Sequence, residues 1–267
     1  MSIISLLSDF GLKDAYVAEM KAVIITINPL AHLIDITHQI EKFSIRRAAY
    51  ILASVTPYFP EKTIHLAVVD PGVGTKRRPI IVETKRGLYV GPDNGLLMLA
   101  AYNEDIINVY LIDNPKYMLS KVSKTFHGRD IFAPAAAYLT KGVTPSMFGP
   151  EIHDYVFPIF AKSRIENGEL EGEILHIDDF GNVISNISGE DLEQAGFDER
   201  DSLNVKINGK NFNLQFCSAY GNVPVNVPLA LIGSCKFLEF AVNQGSCNTL
   251  FNARVGDLIS VSRNFSN

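Results

Sequence analysis

The spacing of apolar and polar positions changes character partway along the chain. Residues 3–8 are an apolar run that reads as a buried strand. From Lys13 to Ile27 the apolar residues recur at helical spacing, with Val17, Met20, Ile24 and Ile27 on one stripe, and Asn28-Pro29 ends that helix. Residues 32–37 read as a second strand. Ser44 is placed to cap the next helix, whose stripe is Ile45, Ala48, Leu52 and Val55, and Thr56-Pro57 stops it. Strands follow at 63–69, 79–84 and 87–90, then a helix from Asn94 to Tyr102, a strand at 106–112 and an alanine-rich helix from Arg129 to Thr140. Strand and helix alternate, which implies a largely parallel sheet covered on both faces.

After about residue 157 the helical spacing gives way. The segment AKSRIENGEL is polar and reads as a linker. Short strands then recur at 171–177, 183–187, 203–207, 211–216, 228–232, 236–242 and 257–262, and Asn208-Gly209-Lys210 is a tight hairpin signal. The expected fold is α/β: an N-terminal α/β domain over 1–157, a linker over 158–170, and a smaller antiparallel β-barrel-like domain over 171–267.

Composition narrows the function classes. A chain of 267 residues with 47% apolar and 20% charged residues is that of a globular protein. A net charge of −5 argues against a nucleic-acid partner. No apolar run approaches the roughly 20 residues of a membrane span, and MSIISLLSDFG lacks the basic start of a signal peptide. Cys217, Cys235 and Cys247 are odd in number and lack C-x-x-C spacing, so neither a zinc site nor a disulfide framework is expected, and a cytoplasmic location is.

The chemistry concentrates at strand ends. In IHLAVVDPGVGTKRR, residues 64–78, an apolar strand runs into Asp70 and a Pro-Gly turn. A carboxylate there belongs at the carboxyl edge of a sheet, where open α/β folds bind ligands. Asp9 ends the first strand in the same way, and a carboxylate in that place commonly accepts from ribose hydroxyls. TFHGRDIFAP puts His127 in a loop just before a helix. Arg77 stays protonated and cannot be a base, but it can hold a carboxylate, so Asp70, Arg77 and His127 suit the orientation of a water. In DDFGNVISNI, Phe180 offers a stacking ring and Asn182 an amide able to read an adenine edge, and GSCKFLEFAVNQGS offers Ser234, Asn243 and Gln244. No dinucleotide-type or P-loop glycine motif is present. His32, Asp35 and His38 lie close in sequence, but strand alternation turns Asp35 away from the two histidines, so no metal trio is expected.

Together, SDFG-x-x-D-x-Y-V, DITH, VVDPGVGT-x-RR, VGPDNGLL, TFHGRDIFAP, IDDFGN-x-x-SNI and GS-x-x-x-LE-x-AVNQG resemble, in order, the S-adenosylmethionine hydroxide adenosyltransferase family, the adenosine-forming S-adenosylmethionine hydrolases. The resemblance runs from residue 5 to about 260. It implies attack of water or hydroxide on the ribose C5′ of S-adenosylmethionine, giving adenosine and L-methionine without a cofactor or metal. It also implies a homotrimer with each site between the N-terminal domain of one subunit and the C-terminal domain of its neighbour. It assigns catalysis to Asp70, Arg77 and His127, the ribose to Asp9, the adenine side to Phe180 and Asn182, methionine to Asp178 and Ser234, and a packing aromatic to Phe43. The halide-using relatives carry tyrosine at positions matching Asp70 and His127, serine at Gly128, and, in the fluorinating members, a long loop after the Pro-Gly turn. Those differences point to water. Cys235-Lys236 departs from the serine-glycine pair or arginine more usual after Ser234. A non-catalytic S-adenosylmethionine or adenosine sensor and an adenosyl halide synthase are the competing readings; a sensor has no use for the Asp-Arg-His set.

Overall fold

The computed structural model describes residues 2–166 and 169–263. The chain divides into two compact units, Met1–Pro158 and Ile159–Asn267. The first contains β1 (Ile3–Ser8), α1 (Tyr16–Ile27), β2 (His32–Thr37), α2 (Ile45–Val55), β3 (Ile64–Val68), β4 (Pro79–Thr84), β5 (Leu88–Pro92), α3 (Met98–Asn103), β6 (Ile106–Leu111) and α4 (Ala133–Thr140). Its six strands lie in the order β2-β1-β3-β5-β4-β6. The pairs β1–β2, β1–β3 and β3–β5 are parallel, whereas β4 is antiparallel to both neighbours.

Alternation along the strands decides which helix covers which face. Ile4, Leu6, Ile64, Leu66 and Val68 join Met20 and Ile24 of α1 and the alanines of α4 in one core. Small alanines at 133 and 135–137 let α4 approach the sheet closely. Ser5 and His65 turn to the opposite face. There Ser5 Oγ lies 2.7 Å from His65 Nδ1, and the imidazole stacks on Tyr89 at 4.8 Å.

Four helix ends differ from the sequence reading, one of them that of α3, which begins at Met98 and not at Asn94. α1 begins at Tyr16, three residues later than the apolar stripe suggests, with Ala15 at its start and no side-chain cap. Ser44 does precede α2, but its hydroxyl caps nothing; the backbone turn is held through Phe43 instead. The stretch read as one helix over 129–140 opens with a wider π turn, Gly128–Phe132, before α4. Pro134 has no N–H to donate to the Asp130 carbonyl. That carbonyl accepts from Leu119 N instead, at 2.9 Å.

The second unit contains β7 (Arg164–Glu166), β8 (Glu169–Ile177), β9 (Val183–Ser188), α5 (Gly189–Gln194), β10 (Ser202–Ile207), β11 (Lys210–Cys217), β12 (Pro228–Ile232), β13 (Phe237–Val242), α6 (Cys247–Phe251) and β14 (Leu258–Arg263). The order β14-β10-β11-β12-β13-β9-β8 closes through a β14–β8 pairing into a seven-stranded barrel, with β7 added outside β8. Closure removes the free edges that a small sheet would expose. All barrel pairs are antiparallel except β11–β12. The hairpin at Asn208-Gly209 has positive φ at both positions, +51° and +75°, and joins Ile207 to Lys210 in register, as a type I′ turn requires. The segment read as a linker holds a 3-10 turn (Ile159–Ala161), β7 and the start of β8; its residues 167 and 168 lie outside the described residues. No helix among the described residues is long and apolar enough to cross a membrane.

Burial lowers the His65 pKa to about 3, far below the ordinary value of 6.5. His65 is therefore neutral in the folded protein, while the unfolded chain takes up a proton below pH 6.5. Its contribution is fully present above pH 6.5 and is lost as pH falls toward 3. Between pH 6.5 and 4 this amounts to roughly 3 kcal/mol of lost stability. Replacing His65 with Asn, which keeps an acceptor for Ser5, should flatten the acid side of the stability–pH curve by that amount in urea titrations; parallel curves for the two proteins would contradict it.

Candidate active site

The site is built where strand order reverses. The chain leaves β1 for β2 on one side and returns as β3 on the other, so β1 and β3 flank a topological switch point. Ser8 pairs with Val68. Asp9 and Asp70, one and two residues farther on, therefore emerge at the same carboxyl edge. A cleft opens there beside Phe10, Tyr16 and the Phe126–Gly128 loop, with Asp70 and His127 on its wall.

Asp70 and Arg77 form a two-pronged ion pair. Arg77 Nε donates to Asp70 Oδ1 at 3.0 Å and Nη2 to Oδ2 at 2.5 Å, and both side chains are at most 7% exposed. Leaving either charge buried without the other would cost several kcal/mol. The guanidinium also lies 5.3 Å from the Phe132 ring centre. Burial pushes the Asp70 carboxyl above the ordinary carboxylate range, with the Arg77 charge opposing that shift.

Arg77 Nη2 reaches His127 Nδ1 at 3.0 Å. A guanidinium only donates, so Nδ1 must be the acceptor and the imidazole proton sits on Nε2. Burial and the Arg77 charge hold His127 below the ordinary histidine range. The three residues thus present a carboxylate and a neutral imidazole N–H around one fixed cation, an arrangement able to accept from and donate to a single water.

Two contacts bring the His127 loop to Asp70. Gly74 has φ +74°, and a Cβ there would lie 2.2 Å from the Lys124 carbonyl oxygen. Only glycine lets the Asp70–Arg78 turn press against the segment leading to His127. Asp130, wholly buried, accepts from Ser123 N at 2.7 Å and from Arg129 Nε at 2.7 Å, which ties the far side of that loop. From sequence, Gly74 reads only as part of the glycine-containing turn after Asp70, and Asp130 only as an acid suited to the first turn of the helix that follows; the close approach of Gly74 to Lys124 and the grip of Asp130 on Ser123 join residues distant from each other along the chain.

Asp9 is buried, and its Oδ2 accepts from Phe43 N at 3.0 Å. Lys42 Nζ donates to the Asp9 carbonyl. Phe43 adopts φ +66° and leaves its ring 67% exposed. In the second unit Asp178 folds its own loop: Oδ1 accepts from Phe180 N at 3.0 Å and Asn182 N at 2.8 Å, and Oδ2 from Asn182 Nδ2 at 3.0 Å. Gly181, at φ +81°, rests against Ser246 at the start of α6. The Phe180 ring is 80% exposed. Ser234 is exposed in the β12–β13 turn. Next to it a Cβ on Gly233 would lie 2.5 Å from Glu239 Oε2, and Tyr220 donates to Glu239 Oε1 at 2.6 Å. The sequence reading did not single out Tyr220 or Glu239. Asn243 spends its amide on the Val223 carbonyl at 2.7 Å, and Gln244 occupies a left-handed turn at φ +56°. The first unit thus gathers Asp9, Asp70, Arg77 and His127, and the second gathers Asp178, Phe180 and Asn182.

Strand alternation failed at one place. β2 gains a residue between Asp35 and Thr37 relative to β1, and this bulge reverses the alternation. Asp35 Oδ1 and His38 Nε2 meet at 3.1 Å instead of facing apart. His32 is exposed. Among the described residues no group of three His, Cys, Asp or Glu side chains is arranged to hold a metal ion.

A largely parallel sheet with charged loops at its switch point, followed by a closed barrel, defines a two-part α/β protein with a cleft at its strand ends. The chain belongs to the SAM hydroxide adenosyltransferase family: the family's N-terminal domain matches residues 4–149 and its C-terminal domain residues 172–260. A relative from Thermus thermophilus named (R)-S-adenosyl-L-methionine hydrolase is 38% identical over 260 residues, covering 94% of this chain and 95% of the relative. A solved structure of an uncharacterized conserved protein from Thermotoga maritima superposes with a TM-score of 0.85 at 38% identity, over 97% of this chain and all of that one. A fluorinase from Actinoplanes is more distant, at 26% identity over 98% of this chain and 97% of the relative.

Replacing Gly74 with Ala should cost about 2–4 kcal/mol, from left-handed strain plus the backbone overlap at Lys124. Gly142 also has positive φ but nothing within 4 Å of its would-be Cβ; its alanine variant should cost only about 1–2 kcal/mol. Chemical denaturation of both variants checks this, and equal losses would remove the argument from close approach.

Proposed function

We propose that this protein hydrolyses S-adenosyl-L-methionine to adenosine and L-methionine. The observation that carries the reading is the Asp70–Arg77 ion pair, its side chains shielded from water, with half-buried His127 on Arg77 at the switch point, together with the hydrolase name of relatives that match almost the whole chain. A water oxygen attacks the ribose C5′ from the side opposite sulfur. The C5′–S bond breaks, and its electron pair stays on sulfur, turning the sulfonium into the neutral thioether of methionine. That leaving group is good enough to need no proton. The difficulty lies in the nucleophile, which is weak and has to arrive in line.

The His127 Nε2–H donates to the water oxygen and sets its position. Asp70 accepts one of the water's protons as the new C–O bond forms, and its burial makes it a stronger base than an exposed carboxylate. Arg77 keeps both groups in place. Paired with Asp70 it carries no net charge into the site, so it does not repel the sulfonium. Holding water and C5′ in line supplies several kcal/mol through proximity.

Asp9 binds the ribose hydroxyls and the Phe43 ring packs beside the substrate. Phe180 and Asn182 take the adenine, and Asp178 and Ser234 the amino-acid end, with Asn243 and Gln244 shaping the turn beside them. We further propose a homotrimer in which the second unit of a neighbouring subunit completes the pocket of the first. The exposed rings of Phe43 and Phe180 support this, since each is an aromatic surface that a substrate or neighbour would cover.

Subunit complementation tests both proposals. The Asp70→Ala variant should form adenosine roughly 10²–10⁴ times more slowly than the parent while remaining folded. Asn182→Ala should weaken turnover through its own half of the pocket. Refolding the two variants together should restore part of the activity, because some interfaces then pair two intact halves. Near-parental turnover by Asp70→Ala would overturn the catalytic assignment, and a fully active monomer in light scattering would overturn the shared site.

A further inference from the structure

The second polar chain at the switch point does not belong to the Asp-Arg-His set. It starts at Ser8, the residue before Asp9. Ser8 Oγ lies 2.7 Å from His38 Nδ1, His38 Nε2 lies 3.1 Å from Asp35 Oδ1, and Lys21 Nζ on α1 lies 2.6 Å from Asp35 Oδ2. Ser8 is wholly buried and His38 is 3% exposed. Lys21 only donates, so it fixes Asp35 as the ionised acceptor; Asp35 then takes the Nε2 proton of His38, leaving Nδ1 to accept from the Ser8 hydroxyl. The Ser8 oxygen in turn accepts from Phe10 N at 3.3 Å. Every group in the chain has one role.

His38 also grips the same turn by its backbone. Gly11 N donates to the His38 carbonyl at 2.7 Å, and Gly11 sits at φ +73°. The two contacts fall on either side of Asp9. Phe43 N and Lys42 Nζ, a few residues beyond His38, hold the Asp9 carboxylate and carbonyl. The side-chain grip on Ser8 goes with the bulge in β2. An unbroken strand would point Asp35 away from His38, and the extra residue is what aims His38 at Ser8.

We infer that His38 is a positioning residue: through Ser8 and Gly11 it fixes the turn that presents the Asp9 carboxylate to the ribose of the substrate. This rests on the ribose role proposed for Asp9. A buried imidazole with both nitrogens committed is stiffer than a hydrophobic side chain of the same size, and a carboxylate held on a stiff turn loses less freedom on binding. The cost of removing it should therefore appear in ligand affinity more than in folding.

The two nitrogens can be separated by substitution. Asn places an amide oxygen where Nδ1 stands, Gln places its amide where Nε2 stands, and Leu has neither. Isothermal titration with adenosine on the assembled protein should give a Kd about tenfold weaker for His38→Leu and His38→Gln, with His38→Asn within about threefold of the parent. Ser8→Ala, which removes one oxygen, should reproduce the His38→Leu loss, and the double variant should lose no more than either alone. The KM for S-adenosylmethionine should rise in step, with kcat changing less than KM. Equal affinity losses for the Asn, Gln and Leu variants would overturn the inference in favour of simple packing, as would an unchanged Kd in Ser8→Ala. If His38→Leu does not fold, Ser8→Ala and His38→Asn still decide. A parent protein that binds adenosine but leaves S-adenosylmethionine intact would overturn the proposed hydrolysis and not this inference; a parent that binds no adenosine would overturn the ribose role of Asp9 and this inference with it.

Discussion

A carboxylate at the end of a buried strand has to be neutralised, and in this protein that need organises the active edge of the sheet. Asp70 leaves β3 into a region shielded from water, where an unpaired charge would cost several kcal/mol. Arg77 meets it only because the chain doubles back within seven residues. That reversal runs through Gly72 and Gly74, and the second glycine lies so close to Lys124 that it also docks the loop carrying His127. One ion pair therefore sets the path of the turn, the approach of the neighbouring loop, and the tautomer of the histidine that Arg77 touches.

The same logic of commitment extends across the switch point. Parallel pairing of β1 with β3 brings Asp9 and Asp70 out at the same edge, one residue apart in register. Asp9 stands on a turn clamped by the β2 edge, and Asp70 on a turn clamped by the Phe126–Gly128 side. The proposed roles of Asp9 in substrate recognition and of Asp70 in water orientation thus fall on different strands of one sheet. In the barrel, considered by itself, Asp178 gathers three donors from Phe180 and Asn182 and leaves the Phe180 ring outside. A loop folded around its own carboxylate can present an aromatic surface at little further entropic cost.

Much of this was legible in the sequence, because the signals were local. Val17, Met20 and Ile24 marked the buried stripe of α1, and Asn208-Gly209 marked the hairpin of the barrel. The α/β-then-β pattern followed from the change in apolar spacing. Asp70, Arg77 and His127 could be singled out by type and position, and the structure brings them together. What was not legible depended on partners distant in sequence. The π turn at Gly128–Phe132 runs into Pro134, and the Asp130 carbonyl that Pro134 leaves free is taken by Leu119, eleven residues back along the chain. The bulge that joins Asp35 to His38 exists only relative to β1. Closure of the barrel needs β8 and β14, whose pairing no local pattern encodes. Asn243 read as an available amide, yet its donor is committed to Val223, a bond that appears only once the 218–227 loop is in place.

The central claim is that a water held at the Asp70–Arg77–His127 set becomes the 5′-hydroxyl of adenosine. Turnover in water enriched in oxygen-18, followed by mass spectrometry of the separated products, tests it most directly. The account predicts one heavy oxygen in adenosine, located on the 5′ carbon fragment, and none in methionine, with the same product when chloride is added in excess. Adenosine without the label, label in methionine, or a 5′-chlorinated nucleoside as the main product would contradict it.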